Sequence, residues 1–483
     1  MGVIKAYAQA TIEAGAFEPL DQVYVENKIR ALVGDEDVPV KAGKLVPQLV
    51  ELAVQRGKIE AGQTAREILN DQLYDLMTPT PSAVNHAFWQ KHTVAPAAAT
   101  DWFYQLCTSN DYVKVDAIQK NVAFTETVAD GNELEITINL SKPEKDPKAI
   151  AAAAHDTAKK YPQCALCLEN EGYLGRLGQA ARSNHRIIRL NVGGHSWGMQ
   201  YSPYAYFNEH CIFLDTKHEP MKIDQQTLIN LVEIERQFPH YFVGSNADLP
   251  IVGGSMLAHE HYQGGRHVFP MMKAKIKQEL DFPAYPAVQA GVVDWPMSDI
   301  RLRSEDTNQL IQLGTHIMAV WNHYDDASLQ IQAVDAAGTR HHTVTPIMHR
   351  EGAEYVLDLV LRDNNTTDQY PLGIFHPHQK LWHIKKENIG LIEVMGRAIL
   401  PARLKDELHE VKQFWLNAPN QIAAAHLPWA KEVAARRAIT AENVDQVLHE
   451  EVAQVFSDVL ADAGVFKNDP AGEAGWRRFL QNL

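Results

Sequence analysis

The sequence predicts a mixed α and β protein built from more than one core-forming unit. Three observations carry that reading. Apolar residues fall at helical spacing through roughly the first hundred residues. A two-residue alternation follows, with Leu134, Ile136, Ile138 and Leu140 set against Glu133, Glu135, Thr137 and Asn139. Beyond it, short strand-like runs interleave with longer helical stretches. At 483 residues the chain exceeds a single typical domain, and 45% hydrophobic against 22% charged residues is an ordinary globular balance.

Taken in order, Leu20 to Leu32, Leu45 to Val54 and Ala65 to Met77 read as helices, punctuated by Gly62, Pro79, Pro81 and Pro96. The alternating strand has one wet face, and Asp130-Gly131 is a hairpin turn leading into it. The charged, proline-bearing segment Ser141 to Pro147 marks a boundary, so residues 1–147 form a helical region with a strand pair. In 148–296, Arg186 to Val192, Cys211 to Leu214 and Tyr241 to Ser245 read as strands. Asp224 caps a helix over Gln225 to Gln237 that buries Leu228, Leu231 and Val232. Pro283, Pro286 and Pro296 suggest a connection. In 297–483 the rhythm returns, with a helix over Thr307 to His323 and strands over Thr343 to Met348 and Glu354 to Leu361. The tail is helical, its stripe of Val444, Val447, Leu448, Val452, Val455, Phe456 and Val459 reading as core or interface.

Charge and cysteine usage narrow the functional classes. A net charge of -15 argues against a nucleic-acid backbone or an anionic membrane surface as partner, but not against a small anionic ligand met by a few local cations. No window reaches membrane-span length, and Met1 to Glu13 lacks the apolar run of a signal peptide. Four cysteines do not make a disulfide scaffold, so a reducing cytoplasm is expected, with Cys107 and Cys211 as ordinary buried thiols.

The chemistry-bearing run is Gly253-Gly254-Ser255-Met256-Leu257-Ala258-His259-Glu260-His261-Tyr262-Gln263-Gly264-Gly265. In extended backbone its two histidines project from one face, and the glycines would let backbone approach a bulky anion, which suits a histidine that attacks phosphorus. His-x-His alone is weak evidence: with 22 histidines chance gives about one such pair, and the chain has a second in His376-Pro377-His378. Cys164 and Cys167 have the C-x2-C spacing that suits two thiolates on one tetrahedral metal, a reading only modestly ahead of a redox pair or two core thiols.

Longer context decides. Tyr161 to Tyr173, Ala181 to Arg186, Gln200 to His210 and Phe238 to Pro250 precede the histidine pair, and His383 to Gly396 follows it. Together these resemble the second, bacterial class of the galactose-1-phosphate uridylyltransferase family, over nearly the whole chain. The resemblance implies two histidine-triad-like α+β halves, each an antiparallel-rich sheet with helices on a face, and commonly a homodimer. It implies transfer of a uridylyl group between UDP-hexose and hexose 1-phosphate, with His261 as nucleophile and Gln263 as donor to phosphate oxygens. A structural Zn²⁺ would be held by Cys164, Cys167, His218 and His259. Asn208, Glu209, Asn246 and Ser255 match nucleotide or phosphate contacts, Ser255 one position out of the first-class register. Arg182, Arg186 and Arg189 are candidates for diphosphate charge. His376, His378, Lys385 and Glu393 are sugar-phosphate candidates, with His342 a companion should the second His-x-His hold another metal. First-class members carry Pro between the catalytic histidines; this chain has Glu260. Two other readings are a nucleotide phosphorylase or hydrolase using the same histidine, and a non-catalytic zinc-organised binding protein.

Overall fold

The computed structural model describes residues 1–141, 161–176, 179–254 and 256–483. The N-terminal helices are as the periodicity requires. Val3–Glu13, Gln22–Val33, Leu45–Gln55 and Gln63–Leu76 close a small core of their own around Ile4, Ile29, Leu49 and Leu73. Pro81–His92 and Pro96–Ser109 each begin with proline, whose missing N–H costs nothing in the first turn. Strands β1 (Val122–Thr127) and β2 (Glu133–Ile138) pair antiparallel around the Asp130-Gly131 turn, where Gly131 adopts φ +86°.

The main body is one ten-stranded sheet. Its strands are β3 (Ile188–Val192), β4 (His195–Tyr201), β5 (Cys211–Asp215), β6 (Phe242–Gly244), β7 (His261–Gly265), β8 (Ile276–Leu280), β9 (Gln289–Val293), β10 (Asp299–Ser304), β11 (His342–Glu351) and β12 (Glu354–Asp363). They lie in the order β3-β4-β5-β7-β6-β11-β12-β10-β9-β8, every pairing antiparallel. The order is a repeat: three strands, a helix and two strands (β3–β7 around Gln225–Gln237), then the same again (β8–β12 around Thr307–Trp321). The expectation of two antiparallel-rich α+β halves is met, with a difference in assembly. The halves share one sheet, joined where Gly244 and Val243 of β6 pair with Ile347 and Met348 of β11. The prolines after Phe282 bridge strands β8 and β9, strands the sequence reading missed because their short runs, Ile276–Leu280 and Gln289–Val293, are half exposed.

The two faces differ. Tyr262, Val243, Met348, Leu357 and Leu359 pack against Leu228, Leu231, Leu310 and Ile317 of the two repeat helices. Asp224 caps the first of these, accepting from the backbone N–H of Gln226 and Thr227. The opposite face carries Phe242, Ile347 and Val360 under Leu391, Met395 and Trp295, continuous with the core of the C-terminal helices Leu404–Trp415, Leu427–Arg436 and Val444–Ala463. A three-stranded sheet, β1-β2-β13 (Arg397–Leu400), lines that layer. His261 and Gln263 also point to this second face, because alternate residues of a strand share a side. No helix among the described residues is long and apolar enough to cross a membrane.

Candidate active site and metal-binding group

Strand β7 begins at His261, so His259 lies just before it and the two rings do different work. The His261 Nδ1 stands 2.7 Å from the His259 carbonyl oxygen. A carbonyl only accepts, so Nδ1 carries the proton and Nε2 keeps its lone pair. The ring is 6% exposed, and burial lowers its pKa to about 4 despite that carbonyl. It is therefore a neutral imidazole at physiological pH, with Nε2 free of hydrogen-bond partners among the described residues.

Two residues on, the amide oxygen of Gln263 stands 3.0 Å from His210 Nε2. His210 is buried and its pKa is driven down to about 4 by desolvation, so it too is neutral. Its Nδ1 is buried without a partner. An orphaned donor costs more than an orphaned acceptor there, so the proton sits on Nε2 and is donated to Gln263 Oε1. The Gln263 NH2 is thereby left for a ligand. Sequence reasoning missed this role for His210; the pair is 53 residues apart in the chain and carries no local signature.

Cys164, Cys167, His218 and His259 converge, their ligand atoms all within 4.8 Å of one another. Cys164 Sγ is 3.2 Å from His259 Nδ1, Cys167 Sγ is 3.2 Å from His218 Nδ1, and the two sulfurs are 3.5 Å apart. A tetrahedral metal with bonds of about 2.0–2.3 Å separates its ligands by about 3.3–3.8 Å, so the donor set fits such an ion. His259 Nε2 donates to the Asp215 carbonyl at 2.8 Å, which turns Nδ1 toward the sulfurs. Burial pushes the Cys167 thiol up to about 11; burial also opposes ionisation at Cys164, but the hydrogen bonds from His259, the Leu166 N–H and Cys167 together hold that thiol below its ordinary value. A bound cation would draw both to thiolate.

The other sequence candidates divide. Arg186 is taken up by its own chain, donating to the carbonyls of Pro79, Thr78, Ser183 and His185 and to Asp75, and so clamps these segments together. Arg189 pairs with Glu171 at 2.6 Å. Arg182 lies over the Tyr112 ring, and its guanidinium donates to the Ala181 carbonyl. Glu209, at φ +55°, accepts from Tyr241 at 2.5 Å and from Asn208 at 3.1 Å, and its carboxylate forms an ion pair with Arg266 at 3.2 Å. Asn246 Oδ1 accepts from the Leu391 N–H at 2.9 Å, tying β6 to the segment over the active face. Lys385 and Glu393 form a buried ion pair at 2.7 Å. His376 bonds Asn388, and His378 contacts the Ile374 carbonyl and Asp462. His342 lies apart from them, stacked on Trp321 and bonded to Asp363, so no second metal-ligand group forms among the described residues. Ser255 lies outside the described residues. The glycines of the motif serve the chain's own packing. A Cβ at Gly264 would meet the Phe242 carbonyl at 2.6 Å, and one at Gly253 the Ala247 carbonyl at 2.3 Å.

A neutral imidazole with a bare ring nitrogen, on the same strand face as an unpaired amide and next to a metal-binding group, is an arrangement suited to an enzyme of the nucleotidyltransferase class. Family models described as the N-terminal and C-terminal domains of galactose-1-phosphate uridyl transferase match residues 15–220 and 233–431. Galactose-1-phosphate uridylyltransferase from Lactobacillus helveticus is 65% identical, with 100% of this chain and 99% of the relative covered. The enzymes of that name from Pediococcus pentosaceus and Streptococcus salivarius are 58% and 51% identical, with 100% and 99% of this chain and 100% and 98% of the relatives covered. The chain belongs to the galactose-1-phosphate uridylyltransferase family. Among solved structures, yeast Ap4A phosphorylase aligns over 71% of this chain and 92% of its own, at 10% identity and a TM-score of 0.32, too low to carry any argument.

Proposed function

We propose that the chain transfers the uridylyl group of UDP-glucose to galactose 1-phosphate through a covalent uridylyl–His261 intermediate. The observation that carries this reading is the fixed tautomer of His261, with Nδ1–H on the His259 carbonyl and Nε2 bare beside the free amide of Gln263. The Nε2 lone pair attacks the α-phosphorus. An N–P bond forms, the P–O bond to glucose 1-phosphate breaks, and that leaving group departs with the electron pair. The ring gains positive charge, which the His259 carbonyl stabilises through the Nδ1 proton. Gln263 NH2 stabilises the crowded phosphoryl oxygens without adding a fixed charge. In the second half the phosphate oxygen of galactose 1-phosphate attacks phosphorus, the N–P bond breaks, and UDP-galactose leaves.

Cys164, Cys167, His218 and His259 would hold a structural Zn²⁺, which when bound fixes the loop that carries the nucleophile. Asn208, Glu209, Asn246 and Arg182 belong to the nucleotide side of this proposal and His376 and His378 to the sugar side. The three-part division at 147 and 296, a homodimer and a cytoplasmic setting complete it; light scattering checks the oligomer. The direct test is intact mass after addition of UDP-glucose without acceptor. The wild type gains one uridylyl group and His261→Asn gains none while remaining folded. Galactose 1-phosphate, inorganic phosphate and water as acceptors then separate a transferase from a phosphorylase or hydrolase. Full turnover by His261→Asn would overturn the mechanism, whereas binding of UDP-glucose with no turnover by the wild type would favour the non-catalytic zinc-organised binding protein.

A further inference from the structure

We propose that Gln200 is a second amide donor of the active face, reading an oxygen acceptor on the uridylyl portion of the substrate. The proposal rests on the uridylyl-transfer reading above. Gln200 on β4 lies directly opposite Ile212 on β5, and Ile212 lies directly opposite Gln263 on β7. Residues in register across antiparallel strands share a face, so both glutamines project from the active side of the sheet, two strands or about 9.6 Å apart at the backbone.

Both are built alike. The Gln200 amide oxygen stands 3.0 Å from His185 Nε2, as Gln263 does from His210. His185 is fully buried and stacked on Tyr112 with ring centroids 4.3 Å apart; its Nδ1 has no partner. As at His210, the cheaper tautomer puts the proton on Nε2, which occupies the glutamine oxygen and turns the NH2 outward. Gln200 itself is 4% exposed, and its amide nitrogen has no hydrogen-bond partner among the described residues. An amide NH2 that no protein group accepts is available to a ligand.

Place decides which part of the substrate it meets. From β7, the β6 side leads into the second half of the sheet. The β5–β4 side leads instead to Arg182, which lies over the Tyr112 ring that stacks on His185. With its oxygen occupied, Gln200 presents donors only, and so selects a carbonyl, hydroxyl or phosphoryl oxygen. The need is real on this side, because Arg186 and Arg189 are held by their own chain.

The experiment compares Gln200→Met, which keeps length and burial, and Gln200→Glu, which keeps the acceptor for His185 but loses the donors. Steady-state double-displacement kinetics give kcat/KM separately for UDP-glucose and galactose 1-phosphate, and calorimetry gives UMP affinity. In both variants kcat/KM for UDP-glucose and UMP affinity should fall tenfold or more. The value for galactose 1-phosphate should stay within about twofold, because the uridylyl group is already bound when that substrate arrives. Unchanged UMP affinity in either folded variant, or an equal fall in both kcat/KM values, would overturn the proposal. If the wild type forms no uridylyl adduct at all, it is the underlying reading that has failed.

Discussion

At the scale of single residues, the feature that stands out in the candidate site is the fixing of histidine tautomers. His261 and His210 are both neutral and buried, and each has one ring nitrogen assigned by a single acceptor. The consequence for His210 is testable. His210→Phe keeps the ring packed against Phe207, whose centroid is 4.6 Å away, but removes the N–H that fixes Gln263. We expect kcat to fall by roughly 10- to 100-fold, somewhat less than for loss of an oxyanion donor itself, with the thermal midpoint little changed. Gln263→Ala should fall further, and the double variant should fall no further than Gln263→Ala alone, since His210 acts only through the amide. The motif residues themselves were legible: two histidines, a glutamine and a C-x2-C announce themselves within a few positions. Their supports were not. His210 lies 53 positions from Gln263, and Lys385 pairs with Glu393, facts of three-dimensional pairing that no spacing encodes.

At the scale of elements, the metal-binding group and Arg186 each tie segments that nothing local would join. The group links the Cys164–Cys167 turn, His218 beyond β5 and His259 before β7. Removing the ion with a chelator, or replacing Cys167 by Ser, should lower the thermal midpoint by several degrees and reduce turnover together. Readdition of Zn²⁺ should restore the chelated wild type but not the variant. Midpoint and activity measured on the same samples check this. Arg186 clamps β3 to the N-terminal helices through Asp75 and the carbonyls of Thr78 and Pro79. Arg186→Met leaves those carbonyls unmet in a buried place and should cost about 3 kcal/mol, read by denaturant unfolding. Element boundaries followed the sequence closely where signals are local. The Asp224 cap and the helix Gln225–Gln237 are read from adjacent residues. Strands β8 and β9 escaped notice because their runs are short and their exposed faces blur the alternation.

At the scale of the whole molecule, the halves are joined by a seam only two residue pairs long between β6 and β11, which sequence patterning has no means of announcing. That seam is reinforced across the active face. The chain leaving β7 is held by Glu135 of β2, whose carboxylate accepts from His267 Nε2 at 2.9 Å and from Arg397 of β13 at 3.1 Å. Burial works against the charged carboxylate, but the hydrogen bond from His267 and the neighbouring Arg397 prevail, so the Glu135 pKa lies below its ordinary value of 4.5. A folded-state pKa below the unfolded one stabilises the fold at all pH above the unfolded value, and that contribution is lost as pH falls through the folded value. Glu135→Gln keeps the shape and one acceptor but removes the charge. The variant should therefore melt a few degrees below the wild type at neutral pH, and the gap should narrow as pH falls below 4.5 and close once the wild-type carboxyl is itself protonated. Paired thermal melts across that range test it: a gap that holds constant with pH would mean the carboxylate's charge contributes nothing to joining the small sheet to the strand that carries His261.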